Sequence, residues 1–452
     1  MLSVIAMCGL LLPVCGANKK NVKHQNPFLA PYTTKYGIPP FEKITYADYL
    51  PAVEAGIKQQ NEEINEIVVN RARADFDNTV LALDNCGEIL NKVSYVFYAL
   101  SESDATPEMQ KLAEKLSPML TAQNDELYMN AGLFKKVKAV HDNADKLGLT
   151  KAQKRLTEKY YKRFVRTGAL LTPAYQDTLK AINTKLASLQ LSFTQNVMHE
   201  IANNLIVVDD QARLKGLSQQ TVDDAAKLAK EKGMDGKWVF TASGATRLAV
   251  LTSADDRALR EEMYKTYTNT ASRGNEWDNS KNINEIMQLR QKKAKLLGFK
   301  TFADYAVDPV MAKTVDAAEG LLMQIWTPAV AKVGEEVADM QAYADKHGDN
   351  IKIAAWDYYY YAEKVKKEKF DFSEDEVRPY FALDNVVKNG IFYVANKLWG
   401  LTFTEIKNAP KYNPEVTVYD VKDAQGKHLA VFMTDYYPRA TKAQGAWMSE
   451  LS

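Results

Sequence analysis

Apolar residues recur every three or four positions in two stretches of the chain, which is the period of an amphipathic helix. The first stretch covers residues 80–100 and the second covers residues 179–197. Proline interrupts helix interiors, and Pro173 is the single proline between Pro118 and Pro309. We therefore predict long helices in this part of the chain, packed on a helical core.

Patterns typical of strands are short and few. The runs LIVVDD near Val207 and WVFTAS near Val239 are candidates, and two further β-rich runs flank the turn KDAQGK. This last arrangement predicts a β-hairpin over residues 416–434. The expected fold class is mainly α with a small β element.

The balance of positive and negative charges indicates which binding partners the chain is suited to. Its 452 residues include 58 Lys and Arg and 57 Asp and Glu, which gives a net charge of +1. Phosphate binding needs a basic surface, so this balance argues against a nucleic-acid-binding protein. The proportion of hydrophobic residues, 46%, is that of an ordinary globular protein.

The distribution of tryptophan and proline predicts how the chain is divided. All six tryptophans lie at or after Trp238. We therefore expect a helical N-terminal domain over residues 41–240 and a second unit over residues 241–452. Residues 18–40 contain four prolines and are predicted to form an extended leader.

Residues 1–17 have the pattern of a targeting segment. An apolar run over residues 2–14 is too short to span a bilayer and is followed by small residues. It predicts a signal peptide cleaved near Gly16 or Ala17. The alternative is a lipoprotein signal in which Cys15 carries a lipid anchor. Both interpretations predict an exported protein, periplasmic or membrane-anchored, without a transmembrane span. The remaining cysteine, Cys86, is interpreted as a small apolar residue on a helix face.

A search for catalytic motifs finds no complete one. The phosphate-binding loop, the dinucleotide-binding glycine pattern and the serine-hydrolase pattern are absent from the sequence. A helical zinc site needs two histidines four positions apart, and none of the five histidines is so spaced. The nearest approach is HEIAN, where Asn203 follows His199 and Glu200, and we interpret it as a polar helix end. No catalytic and no metal-binding residue is assigned.

The run WDYYYYAEKVKK places Asp357 where a helix N-cap would lie. Four consecutive tyrosines cover every side of a helix, so some of them must face solvent or a cleft. The tyrosines either pack in the core and at its rim, or they line a peptide channel as a polar-aromatic wall.

Several longer segments, taken in order, resemble one protein family. They are FDNTVLALDNCGEILNKVSYVFYALSESDATPEMQ from Phe76, RFVRTGALL from Arg163, LRQKKAKLLGFKTFADYAVDPVMAKT from Leu289, AWDYYYYAEKV from Ala355, VRPYFAL from Val377, NGIFYVANKLWGLTF from Asn389 and TDYYPRATKAQGAWM from Thr434. Together they resemble the thimet oligopeptidase and neurolysin family of zinc metallopeptidases, and within it the bacterial peptidyl-dipeptidases.

The resemblance implies a fold and an activity. The family fold is a two-lobed helical ellipsoid whose deep channel admits short peptides, and peptidyl-dipeptidases release dipeptides from the C-terminus. The family's zinc is held by the two histidines of H-E-x-x-H and by a glutamate on a following helix. Residues 241–452 would then be the N-terminal portion of the metallopeptidase catalytic domain, with the second lobe incomplete.

The family's DYYPR segment precedes H-E-x-x-H, and this sequence contains no such motif. We therefore expect no zinc bound to this chain and no peptidase activity from the chain alone. The alternative is a non-catalytic pseudo-peptidase or a peptide-binding helical protein. Seven residues are candidates for lining the channel: Asp435, Tyr436, Tyr437, Arg439, Trp356, Asp357 and Tyr361. Of these, Arg439 would face either a substrate carboxylate or an internal acid.

Overall fold

The computed structural model of the chain describes residues 24–371 and 374–451. The predicted signal, with Cys15, lies outside the described residues. Helices dominate the first half of the described chain: α1 Tyr46–Val69, α2 Ala82–Asp84, α3 Glu88–Ser103, α4 Pro107–Tyr128, α5 Ala131–Asp142, α6 Lys151–Thr167 and α7 Pro173–Asn203. Short 3₁₀ turns at Pro27–Leu29, Lys35–Gly37 and Phe41–Lys43 precede α1, and a π-helical turn at Phe76–Leu81 leads into α2.

The second half of the described chain is also mainly helical, which confirms the predicted fold class. Its helices are α8 Gln219–Glu231, α9 Gly244–Ser253, α10 Arg257–Thr268, α11 Ser280–Leu296, α12 Phe302–Val307, α13 Val315–His347, α14 Tyr358–Phe370, α15 Glu374–Val377 and α16 Phe392–Trp399. Short 3₁₀ turns lie at Gln211–Leu214 and Arg378–Phe381, and a π-helix at Asn385–Ile391 leads into α16. Within residues 24–371 and 374–451, none of the helices combines the length and the apolarity that crossing a bilayer requires.

The two periodic stretches have different outcomes. The stretch over residues 179–197 is part of the single helix α7, as predicted. The stretch over residues 80–100 is broken between α2 and α3, because Gly87 adopts a left-handed backbone with φ of 80°. Cys86 therefore lies in the connecting turn instead of on a helix face, where its buried thiol donates to the Ala82 carbonyl at 3.1 Å.

Two small antiparallel sheets interrupt the helices. Strands β1 Leu205–Val208 and β2 Trp238–Thr241 pair with each other. Strands β3 Thr402–Glu405, β4 Thr417–Lys422 and β5 His428–Thr434 form a sheet in the order β3-β4-β5. The predicted hairpin is confirmed as β4 and β5, and β3 is an additional strand that the sequence patterns did not indicate.

The largest buried cluster joins the two ends of the described chain. Phe28, Tyr49 and Phe97 pack in it together with Val416 and Val418 from the start of the hairpin. The hairpin therefore rests on α1, α3 and α4. This contact fixes the position of the segment that follows β5, which contains four of the candidate residues.

Candidate functional site

The segment after β5 forms a largely buried ion-pair cluster around Asp435. The Arg439 guanidinium donates to both carboxylate oxygens, Nη1 to Oδ1 at 2.8 Å and Nη2 to Oδ2 at 2.7 Å. Lys442 Nζ lies 3.0 Å from Oδ1, and the Tyr412 hydroxyl donates to Oδ2 at 2.9 Å. Arg439 also donates to the carbonyl of Ser103 at the end of α3. The cluster thus ties the chain after the hairpin to the first helices.

The electrostatics of this cluster favour the charged carboxylate. Burial alone raises the pKa of Asp435, but hydrogen bonds from Arg439, Lys442 and Tyr412 outweigh it and lower that pKa to about 2. Burial, followed by the bond to Asp435, raises the pKa of Tyr412 to about 12. Arg439 therefore has an internal acid as its partner, which is one of the two roles considered for it.

The two tyrosines between Asp435 and Arg439 are half exposed. Tyr436 and Tyr437 keep 45% and 54% of their surface accessible. The backbone beyond them is held against the α3–α4 turn, because Ala105 N–H donates to the Thr441 carbonyl at 2.7 Å. A channel-lining role for this segment stays a prediction.

A second buried cluster surrounds Asp357, which lies at the N-cap of α14 as predicted. Its side chain does not cap α14. Instead, Oδ1 accepts from Arg260 Nη2 at 2.8 Å and Oδ2 accepts from Arg257 Nη2 at 2.8 Å. Burial opposes ionisation, but the bonds from Arg257, Arg260 and the Ala354 N–H hold the pKa of Asp357 below its ordinary value. This ion triad joins α14 to α10.

The tyrosines of α14 mostly have internal partners. Tyr360 donates to Asp255 at 2.9 Å and Tyr361 donates to Asp349 at 2.8 Å. Tyr358 donates to Glu336 at 2.7 Å, while Tyr359 is 39% exposed. Three of the four side chains therefore anchor α14 to neighbouring segments, which favours packing as their main role.

Helix α9 lies between the two clusters. Its Gly244 N–H, at the first turn of the helix, donates to Gln444 Oε1 at 2.9 Å, in the segment that carries Arg439. Its Arg247 guanidinium lies 5.9 Å from the Tyr359 ring on α14. Trp356 packs beside α10, with Arg257 and Lys265 within 6 Å of its ring. The structure thus places four of the seven candidates in the segment after β5 and the other three at the start of α14, and α9 contacts both regions.

Sequence reasoning missed a polar cavity of about 370 Å³ between α4, α7, α11 and α12. In its wall, Asn183 donates to both oxygens of buried Asp125, at 2.8 and 3.0 Å, and Lys293 donates to Asn183 Oδ1 at 2.7 Å. Burial raises the pKa of Asp125 and lowers the pKa of Lys293. One feature of the sequence could have indicated this cavity. Lys293 is a charged residue on the apolar face of its helix, at helical spacing from Leu289 and Leu296.

The described histidines do not fit the zinc site of the family that the sequence resembles. Across residues 24–371 and 374–451, no group of three or more His, Cys, Asp or Glu side chains is placed to hold a metal ion. Each histidine instead has its own local contact: His24 with Asp48, His141 with Glu158, His199 with Asn203, His347 with the Tyr343 carbonyl and His428 with Asp420. HEIAN forms the last turn of α7, as interpreted from the sequence.

We compared the sequence of the chain with protein families and with individual proteins of known function. Residues 250–452 match the profile of Peptidase family M3. The chain is 37% identical to the dipeptidyl carboxypeptidase of Escherichia coli strain K12 over 423 residues, which cover 94% of this chain and 62% of that relative. The Salmonella typhimurium dipeptidyl carboxypeptidase is 35% identical with the same coverage.

A second group of relatives is less similar. Oligopeptidase A of Escherichia coli strain K12 is 28% identical over 429 residues, again covering 94% of this chain and 62% of the relative. The chain therefore spans 62% of the length of these curated relatives.

Proposed function

We propose that this chain, whose residues 250–452 match the profile of Peptidase family M3, is part of a zinc metallopeptidase of the peptidyl-dipeptidase type. Its substrates are short peptides, from which it removes C-terminal dipeptides. The observation that carries this assignment is the identity of 37% with a dipeptidyl carboxypeptidase, against 28% with an oligopeptidase A over a similar length.

The test of this specificity uses the product of the source gene read beyond codon 452. That product, loaded with zinc, is given an N-terminally blocked tetrapeptide and the same peptide with a C-terminal amide. Release of the C-terminal dipeptide from the free acid only supports the proposal. Equal cleavage of both, or cleavage only inside longer peptides, contradicts it and favours an oligopeptidase.

The 452-residue polypeptide by itself is proposed to be inactive. A metallopeptidase needs a bound ion to lower the pKa of the attacking water, and this sequence contains no H-E-x-x-H motif. The purified chain, supplied with zinc, is expected to hydrolyse the blocked tetrapeptide no faster than buffer. Peptide binding without hydrolysis, measured by calorimetry, would instead favour the non-catalytic peptide-binding alternative.

Export is a separate proposal, and it rests on residues 1–17 alone. Cell fractionation of the full-length chain should place it in the periplasm or at the membrane, and the Cys15→Ser variant separates the two signals. If Cys15 carries lipid, this variant moves from the membrane to the soluble fraction. Recovery of both proteins in the cytoplasm contradicts export.

A further inference from the structure

The polar cavity between α4, α7, α11 and α12 is lined by three charged side chains, Asp125, Arg290 and Lys293. Its volume of about 370 Å³ lies at the lower end of the range for small-molecule sites, which is about 300–1,000 Å³. Asn124 and Gln190 also line the cavity and are exposed, so it opens to solvent. Its size and its access therefore suit a small ligand.

The two cations of the cavity lie three positions apart on α11 and contact neutral groups. Lys293 donates to the side-chain carbonyl of Asn183 at 2.7 Å, and the Arg290 guanidinium lies 5.1 Å from the Phe302 ring. Within residues 24–371 and 374–451, neither cation forms an ion pair. An ammonium has three donors and a guanidinium has five, so both groups can bind a further anionic group.

A neighbouring arginine shows what structural pairing looks like in this region. The Arg166 guanidinium donates to Asp308 at 2.6 Å and to the Tyr305 carbonyl at 2.7 Å, and it lies 4.3 Å from the Tyr305 ring. Its charge therefore has an acidic partner within the chain. Arg290 faces the same cavity wall and contacts an aromatic ring instead, which leaves its donors available to a ligand.

The acid of the cavity is also bonded to a neutral group. Asp125 is only 2% exposed, and both of its oxygens accept from Asn183 Nδ2. Asn183 thus connects Asp125 to Lys293, and these two described side chains form no ion pair with each other. Burial raises the pKa of Asp125 and lowers the pKa of Lys293, so their surroundings do not fully compensate either charge. A carboxylate has about four lone-pair sites, which leaves Asp125 able to accept from a further donor.

Apolar and aromatic side chains form the rest of the wall. Leu179 is fully buried and Leu186 is 7% exposed, and the rings of Phe302 and Tyr305 lie on the side of α12. Small-molecule sites commonly combine such an apolar wall with a few charged groups that fix the orientation of the ligand. The cavity therefore offers two cations, one anion and an apolar surface to the same small molecule.

We propose that this cavity binds a small zwitterion, namely a free α-amino acid or a dipeptide with an apolar side chain. The ligand's carboxylate lies against Arg290 and Lys293, its ammonium lies against Asp125, and its side chain contacts Leu186 and Phe302. An anion without an ammonium group meets the charge of Asp125 unpaired, and a cation without a carboxylate meets the two basic groups. The proposal is independent of the proposed function, because binding is measured on this chain without peptide hydrolysis.

The test is a ligand-observed NMR titration of the full 452-residue chain. The probes are L-leucine and L-alanyl-L-leucine, which share both charges and the same apolar side chain but differ in length. At least one of them is expected to bind with a Kd below about 1 mM. N-acetylation of the tighter probe removes its ammonium, and C-terminal amidation removes its carboxylate. Each change is expected to weaken binding at least about tenfold, because a buried charged group is left unpaired.

Two variants assign the two charges of the ligand. Arg290→Gln is expected to raise the Kd of the zwitterion at least about tenfold and to leave the Kd of the amidated probe within about twofold, because the amide has no carboxylate for Arg290. Asp125→Asn keeps the shape of the side chain and an acceptor for Asn183. It is expected to weaken binding of the zwitterion and to leave binding of the acetylated probe unchanged.

The matched control is Lys281→Gln, which removes one positive charge from an exposed position of the same helix outside the cavity wall. It is expected to bind the zwitterion like the wild type. Circular dichroism checks folding, and Arg290→Gln tests the proposal by itself if Asp125→Asn does not fold.

Three results overturn the proposal. They are absence of binding by both probes, equal binding of the zwitterion and its two analogues, and equal affinity of Arg290→Gln and Lys281→Gln for the zwitterion. Tighter binding of either probe supports the proposal and identifies whether the site takes a free amino acid or a dipeptide.

Discussion

Asp357 is a buried carboxylate and Asp435 a largely buried one, and each holds two cationic side chains. The arginines of Asp357 lie on another helix, α10, 97 and 100 positions away, whereas Arg439 and Lys442 lie in the same segment as Asp435. The residues next to Asp357 were enough to predict its N-cap position. Its ion pairs with Arg257 and Arg260 depend on how α10 packs against α14, so the local sequence could not predict them.

The substitution Asp357→Asn should destabilise the fold strongly. It leaves the Arg260 side chain, only 2% exposed, without a counter-charge, and breaking a buried pair in this way costs about 3–5 kcal/mol. Urea unfolding at pH 7 measures the change. The control Tyr359→Phe, on the exposed side of α14, should stay within about 0.5 kcal/mol. A loss below about 1 kcal/mol for Asp357→Asn would contradict the account.

Asp435 should make stability depend on acid pH. Its folded pKa of about 2 lies below the ordinary 3.8, so its contribution is fully present above pH 4 and is lost as the pH falls toward 2. The shift corresponds to about 2 kcal/mol. We expect the free-energy difference between wild type and Asp435→Asn to shrink between pH 5 and pH 2.5.

The matched control for this prediction is Glu62→Gln. Glu62 is exposed and lies 3.9 Å from Lys58, so the pair contributes little at any pH. Urea midpoints for the three proteins across the pH range check the prediction. A difference for Asp435→Asn that is constant from pH 5 to pH 2.5 would show that its carboxylate charge does not stabilise the fold.

At the scale of elements, the periodic pattern predicted helices well and their interruptions poorly. The apolar period continues from α2 into α3, so the pattern alone suggested one helix across residues 85–87. The break comes from the backbone of Gly87, whose position the period does not report. Strand β3 was missed because its four residues, TFTE, are too short to show an alternating pattern. The hairpin was recognised because its strands flank a Gly-containing turn.

Replacing Gly87 by alanine tests this break. At φ of 80° an added Cβ is strained and would lie 2.4 Å from the Gln60 Nε2, whose side chain is buried against Gln123. We expect a loss of about 2–3 kcal/mol in unfolding free energy. The control Gly148→Ala has φ of 64° and open space around its Cβ, so it isolates the backbone cost of about 1 kcal/mol. Equal losses in both variants would show that the contact with Gln60 is unimportant.

At the scale of the whole molecule, the main feature is apolar surface without a partner. Composition and periodicity identified the mainly α fold, but α13 has the same kind of apolar spacing as α7, whose stripe is buried. A sequence pattern does not distinguish an apolar helix face that is buried within the chain from one that is exposed. The division into units over residues 41–240 and 241–452 and the two-lobed channel remain predictions.

Hydrogen exchange on the chain alone should separate these two helices. Residues 321–335 of α13 are exposed on every side, so their amides should exchange at least tenfold faster than those of residues 179–193 in α7, which carry buried Leu179, Ile182 and Leu186. Mass spectrometry of peptic fragments measures both in one experiment. Equal protection of the two segments would show that α13 is covered in the chain alone.

The most direct test of the central claim is the release of a C-terminal dipeptide from a blocked tetrapeptide, followed by chromatography. The purified 452-residue chain and the product of the source gene read beyond codon 452 are assayed side by side with zinc. The account predicts no release above buffer by the chain and zinc-dependent release by the longer product. Zinc-dependent release by the chain alone would contradict it.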